Sequence, residues 1–436
     1  QRLTILGSRF TVIPMTDESV MNESAERIPE QAVTADVVVG LLTLNNAGTI
    51  EQVVKSIIEG LQRFFDGASV MIVNYDGGSQ DGTPEIVERL AEGQVAVRIV
   101  PGAVGHYASL GADSGLSGRA DDVRRLCETA QSLQAKVCLI IEGNLRSLSP
   151  QWIELLGRPV YHDGMDFVVP LFRRHRYEGT LVNNLLYPLM RALYGKRLRY
   201  PSGGGYGLSG RLARELIKNP FWSQDEARSS FDGWMTTVAL AEGYQVCHAF
   251  LGVKEQDSKL GTADLAHVLA AAVGAIFHSM ENYEPAWERT HESTDVPLYG
   301  VVEYAPLTGP VNIARMVSGM RQGVRDLLPL WEVILSPETL GQILTLGIQE
   351  SDEFHFPENL WVQVVYEFAL AYHDQVLHRE HLLKSLTPLY LGQTASFVLD
   401  TQRGGTGQVE AAIESLCRRF EAMKPYLTDR WRWRDE

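Results

Sequence analysis

No apolar run of the roughly eighteen residues that a membrane-spanning helix needs occurs in this 436-residue chain. The N-terminus also lacks the basic, apolar and small-residue succession of a signal peptide, so the expectation is a soluble, cytoplasmic protein. Cysteine is scarce: Cys127, Cys138, Cys247 and Cys417 stand far apart, three of them on apolar stretches. That spacing excludes a disulfide framework or a zinc ribbon and predicts buried thiols in a reducing compartment. Positive charge is also short. With 39 Lys and Arg against 54 Asp and Glu, the formal charge of −15 leaves no excess to neutralise a nucleic-acid backbone. It leaves room for a small phosphorylated ligand, which needs only a local basic site. Internal repeats and low-complexity tracts are missing as well. A 45% hydrophobic and 21% charged composition excludes disorder, and the length points to two domains.

What is present alternates between β and α. Residues 1–35 are mixed and poorly periodic, an N-terminal extension without an assigned role. From Asp36, the β-branched run Val37 to Leu42 predicts a buried strand, followed by Asn45-Asn46-Ala47-Gly48-Thr49 as a turn with Thr49 a candidate cap. Ile50, Val53, Val54, Ile57, Ile58 and Leu61 then share one helical face. The cycle repeats with strands at 69–73, 95–100, 137–141 and 167–170, separated by helical patterns. Such βαβ units imply a mostly parallel sheet, whose ligands bind beyond the carboxyl ends of the strands. From about Tyr304 the strand signal fades. Trp361, Val365, Phe368 and Tyr372 repeat at helical spacing, and 408–426 is amphipathic, so the last part reads as all-α.

Three segments at strand ends carry chemistry. The first strand runs through Leu42 and Thr43 to Asn46, where a helix N-terminus offers free N–H groups to an anion. The second is Asn74-Tyr75-Asp76-Gly77-Gly78-Ser79-Gln80-Asp81-Gly82-Thr83, in which Asp76 is expected to serve a nucleotide base or ribose more than the core. In the third, strand 137–141 runs into Glu142-Gly143-Asn144, and Ser149-Pro150 marks the next helix start.

The first two segments resemble the opening of family-2-like glycosyltransferases, with their strand plus Asn-Asn-Ala and their Asp-Gly-Ser-x-Asp-Gly-Thr turn. Ser117-Gly118-Arg119-Ala120 resembles the loop whose basic residue lies near the diphosphate. Tyr177-Glu178-Gly179-Thr180, Tyr187-Pro188-Leu189, Arg191 to Gly195 and Pro201 to Gly207 are similar to retaining enzymes related to mannosylglycerate synthase and glucosyl-3-phosphoglycerate synthase. Phe231-Asp232-Gly233 and the tail around Pro388 to Gly392 and Phe420 to Leu427 resemble the same group. The resemblance covers about residues 36–430. It implies a GT-A domain over 36–303, α/β with a Rossmann-like, mostly parallel sheet, and an all-α C-terminal domain over 304–436. It implies a nucleoside-diphosphate sugar as donor and a small hydroxylated acceptor, glycerate or phosphoglycerate being one class, with retention at the transferred carbon. Leu42, Thr43, Asn46, Asp76, Arg119, Glu142, Gly143 and Asn144 would hold the donor. Gly203, Gly204, Gly205 and Tyr206 would line the acceptor and sugar pocket, and Asp232 and Glu142 would carry catalysis.

The departures from the family pattern concentrate where it binds metal. Asp-X-Asp is replaced by Glu142-Gly143-Asn144, Gly-Gly-Asp by Gly203-Gly204-Gly205, and Gln256 stands where a metal-binding His is expected. Mg²⁺ or Mn²⁺ would fall to Glu142, Asn144, Gln256 and Asp257, and neutral amides are weak ligands for a hard cation. Activity is therefore expected to depend weakly on divalent cations, with Arg119 or Lys254 offsetting diphosphate charge. The alternative is a pseudo-glycosyltransferase that keeps the fold and acts by nucleotide binding or assembly. A nucleotidyltransferase shares the α/β layout, but Tyr187-Pro188 and Gly203-Gly204 fit that class poorly. Oligomeric state is left open, a homo-oligomer included.

Overall fold

The structure, a computed structural model, describes residues 34–102, 114–173, 177, 179–199, 203–219, 222, 231–257, 264–302, 311–349 and 354–432. Residues 1–33 of the expected extension lie outside them, as do 174–176, Glu178, Pro201 and Ser202 of the motifs.

Eight strands form one sheet: β1 (Val37–Thr43), β2 (Val70–Asp76), β3 (Ala96–Pro101), β4 (Val137–Glu142), β5 (Phe167–Arg173), β6 (Gly205–Ser209), β7 (Val246–Val253) and β8 (Leu298–Tyr299). Their order is β3-β2-β1-β4-β6-β5-β7-β8. β1 pairs in parallel with β2 and β4, β2 in parallel with β3, and β6 runs antiparallel to β4 and β5. Every residue of β1 and β4 is buried, as a central parallel strand covered on both faces requires. The register sets Thr43 level with Asp76 and Leu42 level with Glu142. The polar ends of three strands therefore come out at one rim of the sheet. Strands β2 and β5 each run three residues beyond the apolar runs in the sequence, and in β2 this is because the ladder with β1 continues through Asn74, Tyr75 and Asp76.

The described residues fall into two compact units, one drawn from Gln1–Pro170, Gly203–Arg228 and Ala249–Gly261, the other from Leu171–Ser202, Ser229–His248 and Thr262–Glu436. In the first, helix α1 (Ile50–Phe64) buries the face its spacing predicts and packs on α4 (Pro150–His162). Thr49 does stand at the start of α1, but its hydroxyl makes no cap. It donates instead to the Gly143 carbonyl (2.7 Å), tying α1 to the end of β4.

The second unit gathers the C-terminal helices together with the earlier helices Tyr187–Tyr194, Phe231–Ala241 and Leu265–Asn282. Its core is rich in aromatics, and Trp361, Val365, Phe368 and Tyr372 are all at most 2% exposed. Trp361 Nε1 donates to the Asn184 carbonyl (2.8 Å), and Trp331 Nε1 to the Ser385 carbonyl (3.2 Å), so these two rings bury no unmet donor. Arg191 is 1% exposed and is gripped by Glu414 and Glu421. An α/β sheet of mostly parallel strands and an all-helical C-terminal region are thus both present. All four cysteines are buried and unbridged; burial pushes the Cys127 thiol up to about 12. No helix among the described residues is long and apolar enough to cross a membrane.

Candidate functional site

The rim at the carboxyl ends of β1, β2 and β4 is built first from two interlocked turns. Asp76 closes β2, and its carboxylate accepts from Thr43 Oγ1 (2.9 Å), Ser79 Oγ (2.6 Å), Ser79 N–H (2.7 Å) and Gly78 N–H (3.1 Å). Four donors match the acceptor capacity of one carboxylate. The group locks its own turn, the role an Asp side chain plays when it bonds N–H groups two and three residues on. The turn after β1 docks against it. Asn45 takes a left-handed backbone (φ 51°), donates its N–H to Ser79 Oγ (2.8 Å) and accepts from the Gln80 N–H (2.8 Å). Asn46 Oδ1 accepts from the Leu44 N–H (2.7 Å), and the Asn46 N–H donates to Thr83 Oγ1 (2.9 Å). Asp81 accepts from the Ala47 N–H (3.0 Å) and from Thr83. Leu42, Thr43, Asn46 and Asp76 are all less than a tenth exposed. They build the ledge, and its backbone N–H groups from Leu44 to Ala47 and from Gly77 to Gln80 are bonded within it.

Glu142 lies beside this ledge at the end of β4. Its Oε1 accepts from Arg119 Nη2, on helix α3 (Ser114–Ser132), and its Oε2 faces Lys254 Nζ at 3.7 Å. All three side chains keep a little exposed surface, 11% for Glu142, 21% for Arg119 and 16% for Lys254. Burial alone would raise the pKa of Glu142. The charges of Arg119 and Lys254, with hydrogen bonds from the Gly204 backbone and Arg119, outweigh it and bring the pKa down to about 2. The carboxylate is therefore ionised at neutral pH.

Two glycines allow this packing. A Cβ on Gly143 would stand 2.8 Å from Thr43 Cγ2 and 3.0 Å from Asn46 Oδ1, so the end of β4 closes on the first ledge only without one. Gly203 has φ +74°, and a Cβ there would lie 2.9 Å from Glu142 Oε1 and 3.3 Å from Lys254 Nζ. Its N–H donates to the Tyr206 hydroxyl (2.9 Å), and Tyr206 is 1% exposed and stacked on Phe167. Gly204 closes on Glu142 through backbone hydrogen bonds, while Gly205 is a buried strand residue paired with Ile141.

Beyond Glu142, the chain is pinned to the segment after β7. The Asp257 N–H donates to the Asn144 carbonyl (2.9 Å), Asn144 Nδ2 donates to the Asp257 carbonyl (3.3 Å), and the Arg146 N–H donates to the Glu255 carbonyl (2.8 Å). Arg146 also grips both oxygens of the Asp257 carboxylate, one of them at 2.8 Å. Gln256 is exposed and forms a bridge with Leu145. Asp232 belongs to the other unit, in the first turn of Phe231–Ala241. Sequence reasoning missed Arg146, Ser79 and Asp81 as organising residues. Only the charge complementarity of Arg146 and Asp257 offered a signal, and nothing in the sequence aligns those two positions.

The donor set does not fit a hard divalent cation. Such ions are held by carboxylate oxygens that are free to coordinate. Both Glu142 oxygens face protein cations and both Asp257 oxygens are held by Arg146. What is left is Asn144 Oδ1, a buried neutral acceptor with no protein donor among the described residues. A divalent ion coordinated by Glu142 Oε2 would sit within about 6 Å of the Lys254 ammonium, a repulsion of roughly 5 kcal/mol at an effective dielectric constant of 20. Among the described residues, no group of three or more His, Cys, Asp or Glu side chains is arranged to hold a metal.

The molecule is thus an α/β protein that gathers Arg119, Glu142 and Lys254 at its strand ends. Neither protein-family models nor curated protein sequences give a match to the chain. Among solved structures it is similar to glucosyl-3-phosphoglycerate synthase from Mycobacterium tuberculosis in complex with Mn²⁺, UDP-glucose and phosphoglyceric acid, at 19% identity and a TM-score of 0.38, over 57% of this chain and 80% of that one. A further structure of glucosyl-3-phosphoglycerate synthase from that organism is 19% identical with a TM-score of 0.39, over 57% and 81%. A mycobacterial protein is 20% identical with a TM-score of 0.39, over 57% and 75%. A likeness of that extent carries no argument about the activity of this chain.

Proposed function

We propose that this chain is a glycosyltransferase that moves a sugar from a nucleoside-diphosphate sugar to a small hydroxylated acceptor, with retention. The observation that supports it most is the Arg119–Glu142–Lys254 cluster at the carboxyl ends of the parallel strands, where such sheets take their ligands. In this reading residues 36–303 serve as the GT-A domain and 304–436 as the helical C-terminal domain. The base and ribose lie along the ledge made by Leu42, Thr43, Asn46 and Asp76. Arg119 faces the diphosphate. Asn144 Oδ1, a buried acceptor lacking a protein donor among the described residues, accepts from a sugar hydroxyl. Gly143 lets the ledge and the diphosphate site close on each other. Gly203, Gly204 and Gly205 with Tyr206 shape the acceptor wall, and Asp232 orients the transferred sugar or the acceptor hydroxyl. Glycerate or phosphoglycerate is the acceptor class that the sequence motifs favour.

The chemistry asked of such a site is to position two reactants and to stabilise a departing diphosphate. Fixed cations at a partly buried rim do this without reorganising as the leaving group gains charge. The second reading, a pseudo-glycosyltransferase, is favoured by Asn144, Gly205 and Gln256 at the positions of family metal and sugar ligands. Thermal unfolding with UDP-, GDP- and ADP-sugars, followed by product analysis with glycerate and phosphoglycerate, separates the two. A donor that binds the native state raises its stability by linkage. Stabilisation with turnover supports the enzyme, stabilisation without turnover supports a nucleotide-binding pseudo-glycosyltransferase, and no stabilisation by any donor refutes the enzyme and leaves the assembly form of the second reading.

A further inference from the structure

We infer that the cavity lined by His355, Phe356, Gln393, Ser396, Asp400 and Arg419, within the second unit, binds a small hydroxyl-rich ligand of saccharide type. The inference is independent of the donor site above. The cavity is partly open and measures about 310 Å³, at the lower end of the roughly 300–1,000 Å³ of small-molecule sites. Three helices wall it. Gln393, Ser396, Phe397 and Asp400 stand at i, i+3, i+4 and i+7 on Thr387–Thr401, one helical face. Ala412, Leu416 and Arg419 stand at i, i+4 and i+7 on Thr406–Arg432. The third wall is the N-terminal end of Glu358–His373.

Two observations point to a ligand. Gln393 is 6% exposed, and its Oε1 is buried without a hydrogen-bond donor among the described residues. Buried polar atoms of folded proteins are nearly always paired, so this acceptor calls for a donor from a molecule in the cavity. The second is the helix start beside it. Pro357 stands at the N-cap of Glu358–His373 and no side chain caps that end, so its first-turn N–H groups are donors at the same cavity.

Ser396, His355 and Asp400 have the composition of a hydrolytic triad, but the geometry excludes one. Ser396 Oγ and Asp400 Oδ2 each lie 3.5 Å from the same ring nitrogen, His355 Nδ1, so the imidazole cannot relay a proton between them. Ser396 Oγ also accepts from the Phe356 N–H (2.9 Å) and donates to Asp400 (3.4 Å). The cluster is a hydrogen-bonded wall, suited to binding. Its lining selects hydroxyls over a simple ion, because a hydroxyl donates and accepts at once. Gln393 Oε1, Asp400 and Glu358 accept, while Arg419 and the helix end donate. The two carboxylates disfavour a compact anion; Arg419 and the positive end of the helix dipole disfavour a compact cation. Phe356, Phe397 and Leu416, each at most 6% exposed, add the apolar floor that the C–H face of a sugar ring covers.

The test is calorimetric titration of the full chain with glucose, mannose, maltose and trehalose, with inorganic phosphate as the anion control. At least one of the sugars should bind, and phosphate should not. Gln393→Leu keeps the size of the side chain and removes the acceptor. It should weaken sugar binding by about tenfold or more, the effect of one lost hydrogen bond, without lowering the thermal unfolding midpoint. Ala412→Phe fills the cavity from a partly exposed position and keeps every polar group, so it should abolish binding. Both variants should respond to UDP-, GDP- and ADP-sugars as the parent does, which separates this cavity from the strand-end site. Sugar binding that neither variant changes overturns the inference, as does no binding by any of these sugars. Binding lost in Ala412→Phe but unchanged in Gln393→Leu overturns the role of Gln393 Oε1. Phosphate binding that Ala412→Phe abolishes, without sugar binding, overturns the ligand class.

Discussion

Asp76→Ala is expected to destabilise the first unit, because the carboxylate holds the turn that frames the site. In the native state it accepts four hydrogen bonds, two from backbone N–H groups and two from hydroxyls. The losses are unequal. Gly78 is exposed and Ser79 is part-exposed, so their donors can turn to water. Thr43 is 2% exposed but keeps Asn74 Oδ1 as an acceptor at 3.0 Å. Hydrogen bonds to a charged group contribute about 1.5–3 kcal/mol each when their partner cannot be replaced, so with partial replacement a total of about 2–4 kcal/mol is expected. Asp76→Asn, which keeps one oxygen, should fall between alanine and the parent. Urea unfolding followed by circular dichroism gives the difference, and Ser79→Ala in the same series should cost roughly 1 kcal/mol. The reasoning fails if Asp76→Ala stays within about 0.5 kcal/mol of the parent while nucleotide affinity collapses. In that case the carboxylate serves a ligand, as its strand-end position alone leads one to expect.

In the second unit, Trp361→Ala or Phe368→Ala should cost about 3–5 kcal/mol, since both rings are fully buried; the alanine variants need only an equilibrium unfolding curve each. Arg191→Met should destabilise by about 2–3 kcal/mol because it removes the buried cation shared by Glu414 and Glu421, which keep solvent and, for Glu414, Arg418, measurable in the same way. Hydrogen bonding to Arg191 holds the pKa of Glu414 at about 2, below its ordinary 4.5. The unfolded chain therefore binds the proton first. The stabilisation is fully present above pH 4.5 and is lost as pH falls toward 2. Urea midpoints between pH 6 and pH 2 should fall less steeply in Arg191→Met than in the parent, and an unchanged slope would count against the assignment.

The sheet was legible because its signals are local. A strand buried on both faces must be a continuous apolar run, and Val37 to Leu42 and Val137 to Ile141 are such runs. Helix α1 was legible for the same reason, since its buried face repeats at helical spacing. The helical C-terminal region followed from Trp361, Val365, Phe368 and Tyr372, which lie on one stripe because they share one core. What stayed hidden depends on long-range pairing. The second compact unit combines Tyr187–Tyr194 and Phe231–Ala241 with helices far along the chain, a grouping that no linear boundary expresses. Thr49 has the composition and position of a cap, yet its hydroxyl accepts from no N–H of the first turn and donates to the Gly143 carbonyl, 94 residues on.

The same limit governs the site. An Asp after a strand reads as a ligand group when only its position is known; its four donors come from the turn's own backbone, from Ser79 and from Thr43 on the neighbouring strand. Replacing Asp-X-Asp by Glu142-Gly143-Asn144 reads as loss when only the ligand count is known. In three dimensions the surviving carboxylate has acquired two cations, Arg119 from 23 residues before it and Lys254 from far beyond it. Both oxygens of Glu142 face bases and both of Asp257 are held by Arg146, a pairing that a count of ligands along the sequence cannot register.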